Sequence, residues 1–238
     1  MQLIEMRDRM NFFANAWDSD LAWSFRQAPL VMVAALMTTV IVLAAVLAPL
    51  IAPHDPFNPA TLNLMDGFTP PMTPNAMSGQ VYLLGTDNQG RDILSTILYG
   101  ARISLFVGFS AVLFAMVLGI FVGLVSAWRG GWIDSTLMRV ADIQLSFPSI
   151  LIALLIFGVA RSLIPVAYRE QMAIWVLIVA IGLSDWVQFA RVVRGAALVE
   201  KSKEYVQAAQ AIGVRPSRIV LSHILPNVMG PVLVIATI

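Results

Sequence analysis

Few residues in this sequence could make or break a covalent bond. Cysteine is absent, which removes disulfides, thiolate metal sites and thiol nucleophiles. The two histidines, His54 and His223, stand too far apart to form a local metal motif, and each reads as an interfacial or loop residue. Asp87, Arg91 and Asp92 lie close together but read as helix caps and turn partners rather than metal ligands. No GxxxxGK[ST] loop is present to cradle nucleotide phosphates, and no HExxH, GxSxG or paired-carboxylate arrangement supports hydrolysis. The sequence therefore offers no catalytic residue and no metal site. What remains is mechanical, and it centres on EYVQAAQAIGVRPSRIVLSHILPN, residues 204–227.

Residues 203–212 favour a helix, with Tyr205, Val206, Ala208, Ala209 and Ile212 expected along one apolar stripe. Gly213 is placed to end it in the left-handed conformation that a side chain disfavours. Pro216 suits the first turn of a new helix, where its missing N–H costs nothing, and Pro226 is expected to loosen the entry to the apolar run that follows. The product is a short, stiff helix held crosswise between two membrane spans. From the residues alone it reads either as a part that fits a partner's groove and moves both attached spans, or as a connector packed on its own bundle.

The elements that hold this segment are built for lipid. The 238 residues are 58% hydrophobic and only 12% charged, with mean hydropathy +0.79, a composition for an integral membrane protein and an all-α bundle. A net charge of +1 supplies no field to recruit nucleic acid. Residues 29–53 contain no charge and, at about 1.5 Å per residue, exceed a hydrocarbon core of about 30 Å. They are too long for a signal peptide and are expected to stay as a span. Further spans are expected at residues 103–128, at 143–160 with Pro148 starting or kinking the helix, and at 171–190. The run from 224 to 238 begins a fifth that is too short to cross, so further C-terminal sequence is expected. No charge lies near the middle of the first three spans, and Asp185 falls toward one end of the fourth; this counts against a proton-driven pump.

Orientation follows from where Lys and Arg fall. With the N-terminus inside, the inner segments hold Arg7, Arg9, Arg26, Arg129, Arg139, Arg191, Arg194, Lys201, Lys203, Arg215 and Arg218, against Arg91, Arg102, Arg161 and Arg169 outside. The organisation expected is a cytoplasmic segment over 1–28, a first span over 29–52, an external Pro-rich loop over 53–95, and a core over 96–238 with its cytoplasmic loop at 200–226. In the first segment Met6, Met10, Phe13, Trp17, Leu21 and Phe25 recur at three-to-four spacing, as on an interfacial helix; a partly disordered tail is the alternative. The second span repeats small residues at Ala111, Ala115, Gly119, Gly123 and Ala127, a stripe suited either to packing within the chain or to a subunit interface.

The segment AAQAIGVRPSRIVLSHILPN resembles the EAA loop of the permease subunits of bacterial ABC importers: Glu-Ala-Ala, three residues, Gly, nine residues, then a hydrophobic residue, any residue, Leu and Pro. Ala208, Ala209, Gly213, Leu225 and Pro226 match in type and spacing, whereas Gln207 stands where the family has glutamate and His223 takes the hydrophobic place. APLIAPHDPFNP, LGTDNQGRDILSTILYGARISL and FARVVRGAALVEKSKEYVQAA are similar to the C-type permease subunit of dipeptide, oligopeptide and nickel importers. The resemblance runs from about residue 25 to 238. It implies a type I ABC importer permease fold of six spans in the bacterial inner membrane, with the loop between the fourth and fifth. It also implies a B-type permease as heterodimer partner, two ATPase subunits that use ATP and Mg, an external solute-binding protein, surrounding membrane lipid, and no cofactor on this chain. ATPase coupling then falls to Glu204, Tyr205, Val206, Gln207, Ala208, Ala209, Gly213, Pro216, Leu225 and Pro226, with Glu204 standing in for the absent glutamate. Ala115, Gly119 and Gly123 are expected to pack helices.

Two rivals follow from the sequence. A secondary transporter or channel acting without an ATPase predicts charged residues at midplane, which this chain lacks. A membrane scaffold would use the crosswise helix only to anchor a cytoplasmic protein.

Overall fold

The computed structural model describes residues 20–58, 62, 64–75 and 78–237, and among them every regular element is helical apart from two isolated β-bridges, Pro74 with Val81 and Thr86 with Asp92. Met6, Met10, Phe13 and Trp17 of the expected interfacial helix lie outside the described residues. Helix α1, Asp20–Gln27, leads into α2, Pro29–Val46, whose apolar side chains are exposed almost all round. The helix breaks at Leu47 and resumes as α3, Ala48–Ile51. Pro49 explains the break: it has no N–H for the Ala45 carbonyl, and its ring would crowd that carbonyl.

The loop that follows is held by side chains in place of a ladder. The Tyr82 hydroxyl donates to Asp66 Oδ2 at 2.9 Å. Burial, reinforced by that carboxylate, pushes the Tyr82 hydroxyl up to about 12. The Thr69 N–H donates to Thr86 Oγ1 at 2.9 Å, and Thr86 Oγ1 in turn donates to the Asp66 carbonyl. Asp87 Oδ1 accepts the backbone N–H groups of Gln89 and Arg91 at 2.8 and 2.9 Å, and its Oδ2 accepts Arg91 Nε at 2.8 Å. Burial pulls that carboxyl upward, but the amides and the guanidinium outweigh it and hold it below the usual carboxylate range. Asp92 caps the next helix, its Oδ2 accepting the Ser95 N–H at 3.0 Å and the Ser95 hydroxyl at 2.5 Å. Ser95 Oγ also accepts the His54 N–H at 3.1 Å, so the end of the first span is tied to the start of the second.

That second span, α4, runs from Ile93 to Arg129, and the chain divides within it into two compact units, residues 1–105 and 106–238. The second unit continues with α5, Gly131–Leu145, α6, Ser149–Leu163, α7, Arg169–Lys201, α8, Glu204–Ala211, α9, Pro216–Ile219, and α10, Leu225–Ala236, with a π-helical turn at Val220–Ile224 joining the last two. Its core forms where the small stripe of α4 meets α7. Ala111, Ala115, Gly119, Gly123 and Ala127 are all buried. A Cβ at Gly119 would stand 2.4 Å from the Phe189 Cβ and 2.7 Å from the Trp186 carbonyl oxygen, and one at Gly123 2.6 Å from the Ala190 carbonyl oxygen. Only glycine permits this approach. Within this unit the stripe serves intrachain packing.

By length and composition, four helical stretches of the described residues can cross a bilayer: Pro29–Val46, Ile93–Arg129, Val166–Lys201 and Pro216–Ala236. The run at 143–160, with Pro148 expected to start or kink its helix, is bent at that point: Gly131–Leu145 and Ser149–Leu163 meet at 95°, and the two together make a fifth candidate. Pro148, unable to continue a helix from Leu145, caps the second half. The fifth run is not too short, because the rod begins at Pro216 rather than at Ile224. The π turn immediately before Pro226 accommodates its missing N–H and bulky ring without stopping the helix.

Candidate functional site

The segment singled out in the sequence sits where α7, α8 and the Pro216–Ala236 rod converge. Glu200, nearly buried at the end of α7, is the knot. Its Oε1 accepts Lys203 Nζ at 2.6 Å and its Oε2 accepts the Tyr205 hydroxyl at 2.5 Å. That hydrogen bond holds the Tyr205 hydroxyl above the ordinary phenol range, and the one from Lys203 raises the ammonium likewise. Tyr205 Oη accepts Asn227 Nδ2 at 3.1 Å, Asn227 Nδ2 also donates to the His223 carbonyl at 2.7 Å, and the His223 ring stacks on Tyr205 with centroids 6.3 Å apart. One tyrosine thus reaches both flanking spans. Lys201 adds a link to α4 by donating to the carbonyls of Ala127 and Trp128 at 3.1 and 2.9 Å, as a cation does at a helix C-terminus.

Helix α8 ends as its sequence demands. The Val214 N–H reaches the Ala209 carbonyl and the Gly213 N–H reaches the Gln210 carbonyl, each at 3.0 Å, with Gly213 at φ +79°. This is a Schellman turn, and it sets the angle at which the chain leaves for Pro216. Val206 and Ala209 join a buried cluster with Val193, Ala197, Ile219, Ile224 and Val228. The single apolar stripe expected on α8 is therefore split. Only Val206 and Ala209 point inward, while Tyr205, Ala208 and Ile212 are exposed with Glu204 and Gln207. Five positions across i to i+7 span more arc than one neighbour can cover, and the helix is too short for both faces to be buried. Glu204 has no ion-pair partner among the described residues, and Gln207 is engaged only with the Ser202 carbonyl, at 2.9 Å. Pro216 is exposed at the first turn of α9, and Leu225 and Pro226 lie on the rod behind His223.

Sequence reasoning missed the polar bolts between α5 and α7. Arg194 grips Asp134 through Nε and Nη2 at 2.5 and 2.6 Å, Ser126 donates to the same carboxylate, and Arg191 pairs with Asp142. Gln144 Nε2 donates to the carbonyls of Leu183 and Ser184, both at 2.9 Å, and its Oε1 accepts Trp186 Nε1 at 3.0 Å. A signal existed. Asp134 and Asp142 fall eight residues apart on one helical face, as do Arg191 and Arg194 three apart on another. No group of three or more His, Asp or Glu capable of holding a metal occurs among the described residues.

Comparison with known proteins bears on the same region. Residues 115–238 match the model of a family described as the binding-protein-dependent transport system inner membrane component. The chain belongs to that family. Residues 15–71 match the N-terminal membrane domain of oligopeptide transport permease C. The chain is 35% identical over 219 residues to the oligopeptide transport system permease protein OppC of Bacillus subtilis, covering 92% of this chain and 65% of that protein. It is 36% identical over 209 residues to the dipeptide transport system permease protein DppC of Alkalihalophilus pseudofirmus, covering 88% and 62%, and 33% identical over 210 residues to DppC of Haemophilus influenzae, covering 88% and 66%. The chain thus spans a little under two thirds of the length of these relatives. As an inner membrane component with several membrane helices, this family member carries its converging polar knot in the matched residues, where α8 separates two candidate spans.

Proposed function

We propose that this chain is a permease subunit of an ATP-driven importer of dipeptides, oligopeptides or related small solutes, and that it forms half of the translocation pore. It performs no chemistry on the solute. A second permease completes the pore, two ATPase subunits on the inner side bind ATP with Mg, and an external binding protein delivers the solute. The names of the relatives support the solute class, and the family description supports dependence on a binding protein. The Lys and Arg distribution supports an inside N-terminus, which puts α8 in the cytoplasm and the loop at 53–95 outside, where it meets the binding protein or caps the pore.

The observation that carries the reading is the construction of α8. Its inner face is bolted to both neighbouring spans through Val206, Ala209 and the Glu200–Tyr205–Asn227 chain, while its outer face offers Glu204, Gln207, Ala208 and Ile212 to a partner. A push on that outer face passes through these contacts to both membrane rods. Closure of the ATPases around ATP would pull this helix and tip the spans outward, and hydrolysis would reset them.

The test is Gly213→Val. A β-branched residue at φ +79° carries strain of roughly 1–2 kcal/mol and re-aims α8 without touching a core side chain. Uptake should fall at least about ten-fold while the binding protein keeps its affinity for solute. Normal uptake by a fully assembled variant would remove the coupling role.

A further inference from the structure

A second feature of this end of the molecule is a groove that the knot does not use. It runs between the last turns of α4 and the beginning of the Pro216–Ala236 rod, and has a volume of about 730 Å³. Phe121, Leu124, Leu221 and Trp128 line it, together with Arg129 from the α4 side and Arg215 from the start of the rod. None of the ten residues that line it is acidic, and among the described residues neither arginine has an ion-pair partner. Trp128 is fixed in place by Lys201, whose ammonium lies 5.3 Å from the ring centroid while bonding the helix-end carbonyls.

The order of these groups along α4 is that of a lipid. Phe121 and Leu124 belong to a helix long and apolar enough to span the bilayer, Trp128 comes one turn later, and Arg129 is its last residue. Aromatic residues settle at the level of the headgroups, and arginines reach the phosphates beyond. We propose that this groove binds one anionic phospholipid, with an acyl chain along Phe121, Leu124 and Leu221 and the phosphate between Arg129 and Arg215. An acidic face of a soluble protein fits less well. It could meet the two arginines but not the walls, which lie at membrane depth.

The test is native mass spectrometry of the full chain in its purified membrane complex, with phosphatidylglycerol and phosphatidylcholine supplied together. Phosphatidylglycerol should be retained with a preference of about thirty-fold, from two arginines near a headgroup. Arg129→Gln with Arg215→Gln should abolish the preference. Leu221→Trp, which keeps both arginines and fills the groove, should exclude either lipid. Millimolar glycerol phosphate should displace nothing, because the apolar walls supply much of the binding. Unaltered protein gives an independent measurement: phosphatidylglycerol brominated in its acyl chain should quench a component of fluorescence that Trp128→Phe lacks. The proposal is overturned if the double variant keeps the preference, if Trp128→Phe is quenched as the parent is, or if glycerol phosphate competes. It is equally overturned if the arginine changes release a protein subunit from the complex and leave the lipid count unchanged, since the groove would then be a protein docking surface.

Discussion

Arg194 and Asp134 show how much a single pair contributes where water is scarce. The guanidinium makes two bonds to the carboxylate, and removing either partner strands the other charge. Arg194→Ala should destabilise the protein by about 2 kcal/mol, less than a fully buried pair would cost, because the Arg194 side chain keeps 32% of its surface exposed. Arg194→Met combined with Asp134→Leu should lose less than Arg194→Ala alone, and thermal unfolding in detergent distinguishes the two. Tyr82 gives a prediction in pH. Its hydroxyl is pushed from about 10 when unfolded to about 12 when folded, so the folded state holds its proton more tightly. The stability this supplies is complete below about pH 10 and is lost as pH rises toward 12. Absorbance titration at 295 nm should show a late tyrosinate step near that upper value which Tyr82→Phe lacks.

At the scale of elements, the contact between α4 and α7 depends on two missing Cβ atoms. Gly119→Ala places a methyl group 2.4 Å from the Phe189 Cβ and 2.7 Å from a backbone oxygen, so the helices must separate, at a cost of about 1–3 kcal/mol. Gly108 lies on the same helix with nothing within 4 Å of its would-be Cβ, and Gly108→Ala should be neutral or slightly stabilising. Equal melting temperatures for the two variants would contradict this account. The repeat of small residues was legible in the sequence as a packing face, but its partner was not, because small residues allow close approach to any helix. The same limit applied to α8. Its end at Gly213 was legible because a left-handed turn requires one residue type, whereas its inner face depended on where two other helices stand. The bend at Ser146 to Pro148 lies between these cases: a proline announces a break but does not fix its angle.

For the whole molecule, the distribution of arginine and lysine makes a claim about sidedness that labelling can check. The chain lacks cysteine, so single cysteines can be introduced without background. Ser78→Cys, in the loop after the first span, should react with an impermeant maleimide in intact cells, and Gln210→Cys on α8 only after the membrane is opened. The reverse pattern would overturn the orientation and the proposed role of α8 with it. Hydrophobic runs, lysine and arginine positions, and special backbone residues such as Gly213 are local quantities, and the sequence alone determined what they govern: a helical membrane protein, the approximate spans, and a short helix ended at Gly213 between two of them. Tertiary structure alone decided that Tyr205 links α7 to the rod through Glu200 and Asn227, and that Arg194 finds Asp134 sixty residues away. The partner each polar group finds is set by how the helices pack, and leaving such a group unpaired is costly wherever packing keeps water away.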